Sequence, residues 1–325
     1  MLKTITLTEI KGIIEKSSIA ELIKIIEDGF VLYTQKKATI PPVGHLSFKQ
    51  PPGDVHIKYG YIENDDYYVI KIASGFYNNP SLGLSSSNGM MLLFNQKTGE
   101  PLSILLDEGY LTDLRTGIAG AIAAKYLAPA KINSIGILGT GIQARLQLQF
   151  LKTIIDCRNV IVWGHNNDKS ELFKKDIFLK DFDITVTSDI KYLVRHCNLI
   201  VTTTPSKRAL LFAEDILPGT HITALGADAT GKQEIDALLF AKADLVAADS
   251  KEQCIDHGDI SYAVRNKILS PSKITELGDI IVNKNLQRNN ENQITITDLT
   301  GVAIQDIQIA KYVYVRYLKL RPPGN

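Results

Sequence analysis

The chain has 325 residues, 45% hydrophobic and 22% charged, with 36 lysines and arginines against 35 aspartates and glutamates. That length suits about two domains, and a formal net charge of +1 excludes the strong basic field of a nucleic-acid or anionic-membrane binder. No apolar run reaches the ~18 residues of a membrane span, and the first residues, MLKTITLTEI, contain no signal-peptide core.

Residues 19–33 repeat apolar side chains at helical spacing, which points Ile23, Ile26, Phe30 and Val31 toward a core. Residues 39–53 carry Pro41, Pro42, Pro51 and Pro52 and read as loop or sheet edge. Short β-like runs follow at 55–61, 67–73, 90–95 and 102–106, with 96–100 (QKTGE) suited to a hairpin between the last two. This part reads as a mixed, mostly antiparallel sheet with a flanking helix. Residues 111–127 (LTDLRTGIAGAIAAKYL) predict a close-packed helix whose small side chains let backbone or ligand approach.

Residues 134–150, SIGILGTGIQARLQLQF, give an apolar strand, a glycine turn and a helix with Ile142, Leu146 and Phe150 at helical spacing. This is the order a dinucleotide-binding G-x-G-x-x-A segment needs. Gly139 permits the tight turn, Gly141 lets a diphosphate approach the backbone, and Ala144 lets the helix pack close to the strand. Free amides at the helix start then face the phosphates. Gly139, Thr140, Gly141, Ile142 and Gln143 are therefore the candidate cofactor cradle.

Strand candidates at 134–138, 160–163, 184–187, 199–203, 221–225 and 245–248 alternate with helical stretches. That pattern argues for an α/β fold: a Rossmann-type doubly wound parallel sheet plus a smaller α+β domain. After Gly301 a helix with an apolar face at Ala303, Ile307, Ala310, Tyr314 and Leu318 is expected to return to the first domain. The expected domains are 1–113 with 301–325, and 114–300. Cys157, Cys197 and Cys254 are widely spaced and predict free thiols in a reducing, cytoplasmic setting. The six histidines have no metal-ligand spacing, so no metal is expected.

A carboxylate about 20 residues after the glycine turn normally holds the adenosine ribose hydroxyls of NAD. Here the second strand runs out at 163–167 (WGHNN), and the first acid, Asp168, falls beyond it. His165, Asn166 and Lys169 could hydrogen-bond a 2′-phosphate, so NADP is favoured over NAD; the alternative is that Asn166 binds the ribose hydroxyls of NAD.

With these pieces in place, the chain resembles the ornithine cyclodeaminase/mu-crystallin family over about residues 41–310. The matching segments are 69–71 (VIK) followed by Asn79, 98–102 (TGEPL), 111–116 (LTDLRT) and the Gly139–Gly141 turn. Further matches are 226–228 (GAD), 231–234 (GKQE), 276–279 (ELGD) and 300–306 (TGVAIQD). The resemblance implies a Rossmann domain, a substrate and dimerisation domain built from both chain ends, and a homodimer. It implies NAD(P)-linked chemistry on small amino or imino acids: cyclodeamination, ketimine reduction, opine-type oxidation, or hormone binding without catalysis. By the same resemblance, Lys71 is the lysine beside the substrate, Arg115 grips its carboxylate, and Asp228 is a carboxylate near the nicotinamide. Asn79 falls in a matching substrate segment, and Thr116, Thr204 and Val302 fall in segments that line the cofactor.

Two departures bear on the substrate. Residues 42–48 (PVGHLSF) lack the second carboxylate-clamping arginine of cyclodeaminases, and 56–60 (HIKYG) puts Lys58 where they carry a glutamate. The HIKYG variant also resembles the cyclodeaminase-like proteins of ectoine-utilisation clusters. A basic residue where a substrate ammonium would sit favours reduction of a ketimine such as pyrroline- or piperideine-2-carboxylate over cyclodeamination of ornithine.

Each candidate also has a plain structural role to set beside the chemical one. Arg115 offers a bidentate fork to a carboxylate, or a salt bridge to Asp113 or Glu108. Lys71 sits in an apolar strand, where burial would lower its pKa and suit proton transfer; otherwise its head reaches water. Lys58 binds a substrate anion or is a solvated strand end. Asp228, after the fifth strand, is an acid–base group at the ligand edge of the sheet, or the N-cap of the next helix.

Overall fold

A computed structural model of the protein describes residues 2–76 and 78–320. The chain divides into two compact units, Met1–Arg115 with Val302–Asn325, and Thr116–Gly301.

The first unit is built on strands β1 (Lys3–Thr6), β2 (Ala38–Thr39), β3 (Gly44–Lys49), β4 (Pro52–Ile62), β5 (Tyr67–Phe76), β6 (Ser87–Asn95) and β7 (Pro101–Leu106). Helices α1 (Leu7–Glu15) and α2 (Ile19–Thr34) lie between β1 and β2 in the chain, and α3 (Tyr110–Leu127) follows β7. The strands order as β1-β7-β6-β5-β4-β2, with β3 also paired to β4. β1 runs parallel to β7, and the other pairs are antiparallel. The proline-rich stretch read as loop or edge is thus partly an edge strand, β3, whose outer flank leaves Leu46 and Phe48 exposed.

Alternation along these strands separates two faces. Lys58, Lys71, Met91, Leu105 and Ile5 stand side by side across the sheet, and all are buried. The opposite face carries Tyr59, Ile70, Leu92 and Ile104 in the neighbouring row, none of them fully buried.

The second unit alternates strand and helix. Its main strands are β8 (Ile135–Leu138), β9 (Asn159–Trp163), β10 (Asp183–Thr187) and β11 (Leu199–Thr202). Helices α4 (Ile142–Leu151), α5 (Asn167–Lys174) and α6 (Ile190–His196) connect them. β12 (Lys207–Leu211), β13 (His221–Ala224), β14 (Gln233–Ile235), α7 (Ala237–Lys242) and β15 (Leu245–Ala248) follow. Then come α8 (Lys251–His257), α9 (Asp259–Arg265), β16 (Ile274–Glu276), α10 (Leu277–Val282) and β17 (Thr295–Asp298). Eight strands form one parallel sheet in the order β10-β9-β8-β11-β13-β17-β15-β16, and β12 pairs with β14 apart from it. The doubly wound α/β expectation holds.

β17 escapes a sequence reading because its residues, TITD, look polar. It is nonetheless buried between β13 and β15, with Thr295 and Asp298 hydrogen-bonded internally and the Thr297 hydroxyl unpartnered among the described residues. Thr295 Oγ1 donates to Leu127 O at 2.9 Å, and Asp298 Oδ2 accepts from Ile260 N at 2.8 Å. The buried side of α4 also differs from expectation. Ala144, Gln147, Leu148, Phe150 and Leu151 face inward, while Ile142 is 57% exposed at the helix start. The small residues of α3 have a packing cause: an added Cβ would come 2.8 Å from the Phe150 ring at Gly117 and 1.9 Å from Gln147 Oε1 at Gly120.

The last helix, α11 (Ala303–Leu320), returns to the first unit and packs against α2 and strands β4, β5 and β6. Ile304, Ile307, Ala310, Val313 and Tyr314 form its buried side. Gly29 of α2 lets the two helices close up, since a Cβ there would lie 3.0 Å from Gln308. Tyr312 and Arg316 of α11 hydrogen-bond Glu21 of α2 at 2.9 and 2.5 Å.

Candidate active site

The first unit gathers an ionic cluster on the buried face of its sheet. Lys58 on β4 and Lys71 on β5 are direct cross-strand partners, so both side chains project the same way. Arg115 comes from the first turns of α3, and Gln305 and Asp306 from the first turn of α11. Lys71 is 3% exposed, Arg115 4%, Lys58 8% and Asp306 1%, which rules out a lysine head in water at either strand position.

Asp306 is the hub. Its Oδ2 lies 3.2 Å from Lys71 Nζ, and its Oδ1 accepts from Arg115 Nε at 3.0 Å. Arg115 Nη1 donates to Gln305 Oε1 at 3.3 Å. These partners replace the Asp113 or Glu108 salt bridge considered from sequence: Arg115 reaches another part of the chain. A guanidinium only donates, so the Gln305 oxygen must face it. That leaves Gln305 Nε2, which is buried and finds no hydrogen-bond partner among the described residues. An orphaned buried donor calls for a specific explanation, and a bound ligand supplies one.

Burial pushes the Lys71 ammonium down from 10.5 to about 7. The attraction of Asp306 offsets part of that, and the positive charges of Arg115 and Lys58 add to it. Burial alone would raise Asp306, but Lys71, Arg115 and Lys58 together hold its carboxyl below the usual range. A further buried acid, Asp107, accepts from Leu111 N at 2.9 Å at the start of α3, and burial raises it to about 6. Two left-handed residues, Glu108 and Gly109 with φ 52° and 85°, turn the chain from β7 into that helix.

The second unit holds the glycine turn. Gly139 has φ +118°, a conformation L side chains avoid, and a Cβ there would lie 2.5 Å from Thr203 Oγ1. Gly141 is different: its φ is −79°, and an added Cβ would meet nothing within 4 Å. Gly141 is the N-cap of α4 and supplies no side-chain cap, an arrangement that suits an anion at the helix start. The donor set and the open space fit a dinucleotide diphosphate. Sequence reasoning missed Arg145, whose Nη1 donates to Thr140 O and Gly141 O at 2.7 and 2.9 Å. A basic residue one turn past the glycines was the available signal. Gln143 is half-buried in the first turn.

At the tip of β9, His165 and Asn166 are exposed, and Asn166 Oδ1 caps α5 by accepting from Lys169 N at 3.0 Å. Asp168 lies within α5, past the strand. Thr116 O accepts from Gln147 Nε2 at 3.1 Å, and Thr204 N and Oγ1 both donate to Glu234. Asp228 sits in the segment after β13, 51% exposed at its side chain, 2.6 Å from Lys232 Nζ. It caps no helix: α7 is capped by Asp236. Asn79 is in the first unit, half-buried, and donates to Ser85 O at 2.9 Å, while Val302 is fully buried at the start of the returning segment. Lys58, Lys71 and Arg115 are therefore brought together in one unit, and Asp228 and the glycine turn belong to the other.

The profile of the ornithine cyclodeaminase/mu-crystallin family matches residues 4–320. The chain belongs to that family. A Bacillus cereus Δ1-pyrroline-2-carboxylate reductase of this type of sequence is 31% identical over 311 residues, covering 94% of this chain and 95% of the relative. An archaeal alanine dehydrogenase dimer solved with NAD is 32% identical, with a TM-score of 0.88 over 98% of this chain and 97% of that one. The Thermococcus litoralis Δ1-pyrroline-2-carboxylate reductase, solved with NADH and L-proline, is 25% identical, with a TM-score of 0.89 over 98% of each chain. Within the ornithine cyclodeaminase/mu-crystallin fold, Asp306 is the site residue missed from sequence: it lies in the 300–306 segment, but nothing local says that its carboxylate joins Lys71 to Arg115.

Proposed function

We propose that this chain is an NAD(P)-dependent oxidoreductase that reduces a small α-imino acid, in the first instance a cyclic ketimine of the pyrroline- or piperideine-2-carboxylate type. The buried set of Lys71, Asp306 and Arg115, with Lys58 beside it, carries this reading. Three cations face two acids there, Asp306 and Asp107, and burial raises the Asp107 pKa to about 6. The surplus positive charge suits a substrate carboxylate. Asp306 holds Nε and Gln305 holds Nη1 of Arg115, which fixes its plane and leaves Nη2 for that carboxylate. Gln305 Nε2 is a second donor for the same group.

Nicotinamide, when bound, supplies the hydride. Reduction of a C=N bond also needs one proton on nitrogen, and Lys71, poised near pH 7, donates it. Asp228 is the second acid–base group of this reading. Lys58 beside Lys71 repels a side-chain ammonium, which counts against ornithine and other diamino acids. NAD and NADP both fit a β9 tip that lacks a carboxylate, with His165 and Asn166 as the residues that would meet a 2′-phosphate. The ligands in the relatives' solved structures, NAD in one and NADH with L-proline in the other, support the same chemistry.

A homodimer is part of the proposal. The sheet face turned away from α11 presents Tyr59, Tyr61, Met90 and Leu106 as exposed residues around half-buried Ile70, Leu92 and Phe94. An apolar face of that extent marks an interaction surface, and an archaeal relative is described as a dimer. The test of the function is a panel of cyclic imino acids and amino acids with each nucleotide, read both for nucleotide oxidation and for ammonia. Oxidation of one nucleotide per amino acid formed supports the reading; ammonia without net nucleotide turnover replaces it with cyclodeamination.

A further inference from the structure

Glu234 closes the 231–234 segment, GKQE. It is the middle residue of β14 and fully buried. Its Oε1 accepts from Thr204 N at 2.6 Å and Thr204 Oγ1 at 2.7 Å. Its Oε2 accepts from Thr202 Oγ1 at 2.6 Å and Gly226 N at 2.8 Å. These donors stand where β11 and β13 end, and the two strands are neighbours in the parallel sheet. The carboxylate is therefore a clamp between two adjacent strand exits. Asp259 Oδ1 steadies the clamp from behind, accepting from Glu234 N and Ile235 N at 2.8 and 2.9 Å.

Gly226 is shaped to admit this carboxylate: a Cβ there would lie 2.5 Å from Glu234 Oε2 and 2.1 Å from Thr204 O. The location also matters. From β8 the chain adds β9 on one side and β11 on the other, so the strand order reverses between β8 and β11. Ligands of open parallel sheets sit outside the carboxyl ends at such a point. Thr203 N donates to Leu138 O at 2.9 Å, tying the β11 exit to the strand that carries the glycine turn.

We propose that Glu234 is a positioning residue of the dinucleotide site, setting the spacing of Thr204 and Gly226 along the rim of the crevice in which the nucleotide lies. This rests on the nucleotide-binding part of the function proposed above. The chemistry of Gln at this position makes it testable. Each carboxylate oxygen receives one backbone N–H, from Thr204 or from Gly226. Whichever way a Gln amide turns, its NH2 confronts one of those N–H groups, and neither can rotate away as a hydroxyl can. Glu234→Gln must displace one strand exit.

The experiment measures NADH and NADPH affinity by nucleotide fluorescence, together with kcat and Tm, for the full chain and for Glu234→Gln, well below the Tm of each. The expected result is a folded variant whose nucleotide Kd rises by about tenfold or more, with a matching loss of kcat/KM. A lower Tm with Kd and kcat both unchanged would mean a purely structural role and overturn the proposal. Amide hydrogen exchange on the unmodified chain covers the case in which the variant does not fold: NADH must slow exchange at Thr204 and Gly226, and no change there also overturns it. Failure of the unmodified chain to bind either nucleotide would instead overturn the underlying functional reading.

Discussion

Lys71 Nζ lies 3.2 Å from Asp306 Oδ2, pairing a central strand with the helix that closes the chain, and both side chains are almost completely buried. Asp306 also holds Arg115, so one carboxylate compensates two buried cations. Removing one member of a buried ion set leaves charge without a partner, which typically costs about 3–5 kcal/mol. Asp306→Asn is expected to lose stability on that scale and to make Lys71 still easier to deprotonate. Urea unfolding read by circular dichroism measures the first effect; a midpoint unchanged from the unmodified chain would deny Asp306 its hub role.

The pH dependence follows from Lys71. Its value in the folded chain is depressed from 10.5 to about 7, so the ammonium is present below that pH and lost above it. As the proton donor for imine reduction it predicts kcat/KM that is level on the acid side of about 7 and falls on the alkaline side. Lys58→Gln removes one positive neighbour, so the alkaline limb should move to higher pH, by on the order of half to one unit. A limb that stays in place would separate Lys58 from Lys71 electrostatically. Lys71→Ala should lower kcat by about 10²- to 10⁴-fold while NADH affinity holds.

The two glycines of the turn predict opposite phenotypes. Gly141 has ordinary φ and open space at its Cβ position, so Gly141→Ala should fold with an unchanged Tm yet weaken nucleotide binding by roughly tenfold by crowding the diphosphate. Gly139→Ala meets Thr203 and a left-handed φ, so it should lower Tm as well. Paired melting curves and NADH titrations distinguish the two.

The apolar outer sheet face predicts an assembly that one charge can disrupt. Leu92→Glu lies mid-face, on the side away from α11, and should shift the chain from dimer to monomer in sedimentation velocity without a change in far-ultraviolet circular dichroism. A monomeric unmodified chain would remove the homodimer from the account.

Much of the fold was legible because it is written locally. The glycine turn sits between an apolar strand and a helix, and the hairpin strands alternate, so each announces itself within a few residues. β17 was not legible, because TITD reads as polar until Leu127 and Ile260 are seen to engage Thr295 and Asp298. For the site, Lys71 and Arg115 stood out from their surroundings, Lys71 as a charge in an apolar run. Asp306 did not: a carboxylate in the first turn of a helix looks like an ordinary favourable end charge, and only the fold brings Lys71 and Arg115 to it. Asp228 kept its place after β13, but its expected helix-capping alternative went to Asp236.

The most direct test is stoichiometric. Purified chain, NADH or NADPH, and Δ1-pyrroline-2-carboxylate or its six-membered homologue are mixed, and nucleotide loss, amino acid formed and ammonia are counted together. The account predicts one nucleotide oxidised for each proline or pipecolate formed, no ammonia, and loss of this turnover in Lys71→Ala. Ammonia released from ornithine with no net nucleotide change, or full reduction by Lys71→Ala, would contradict it.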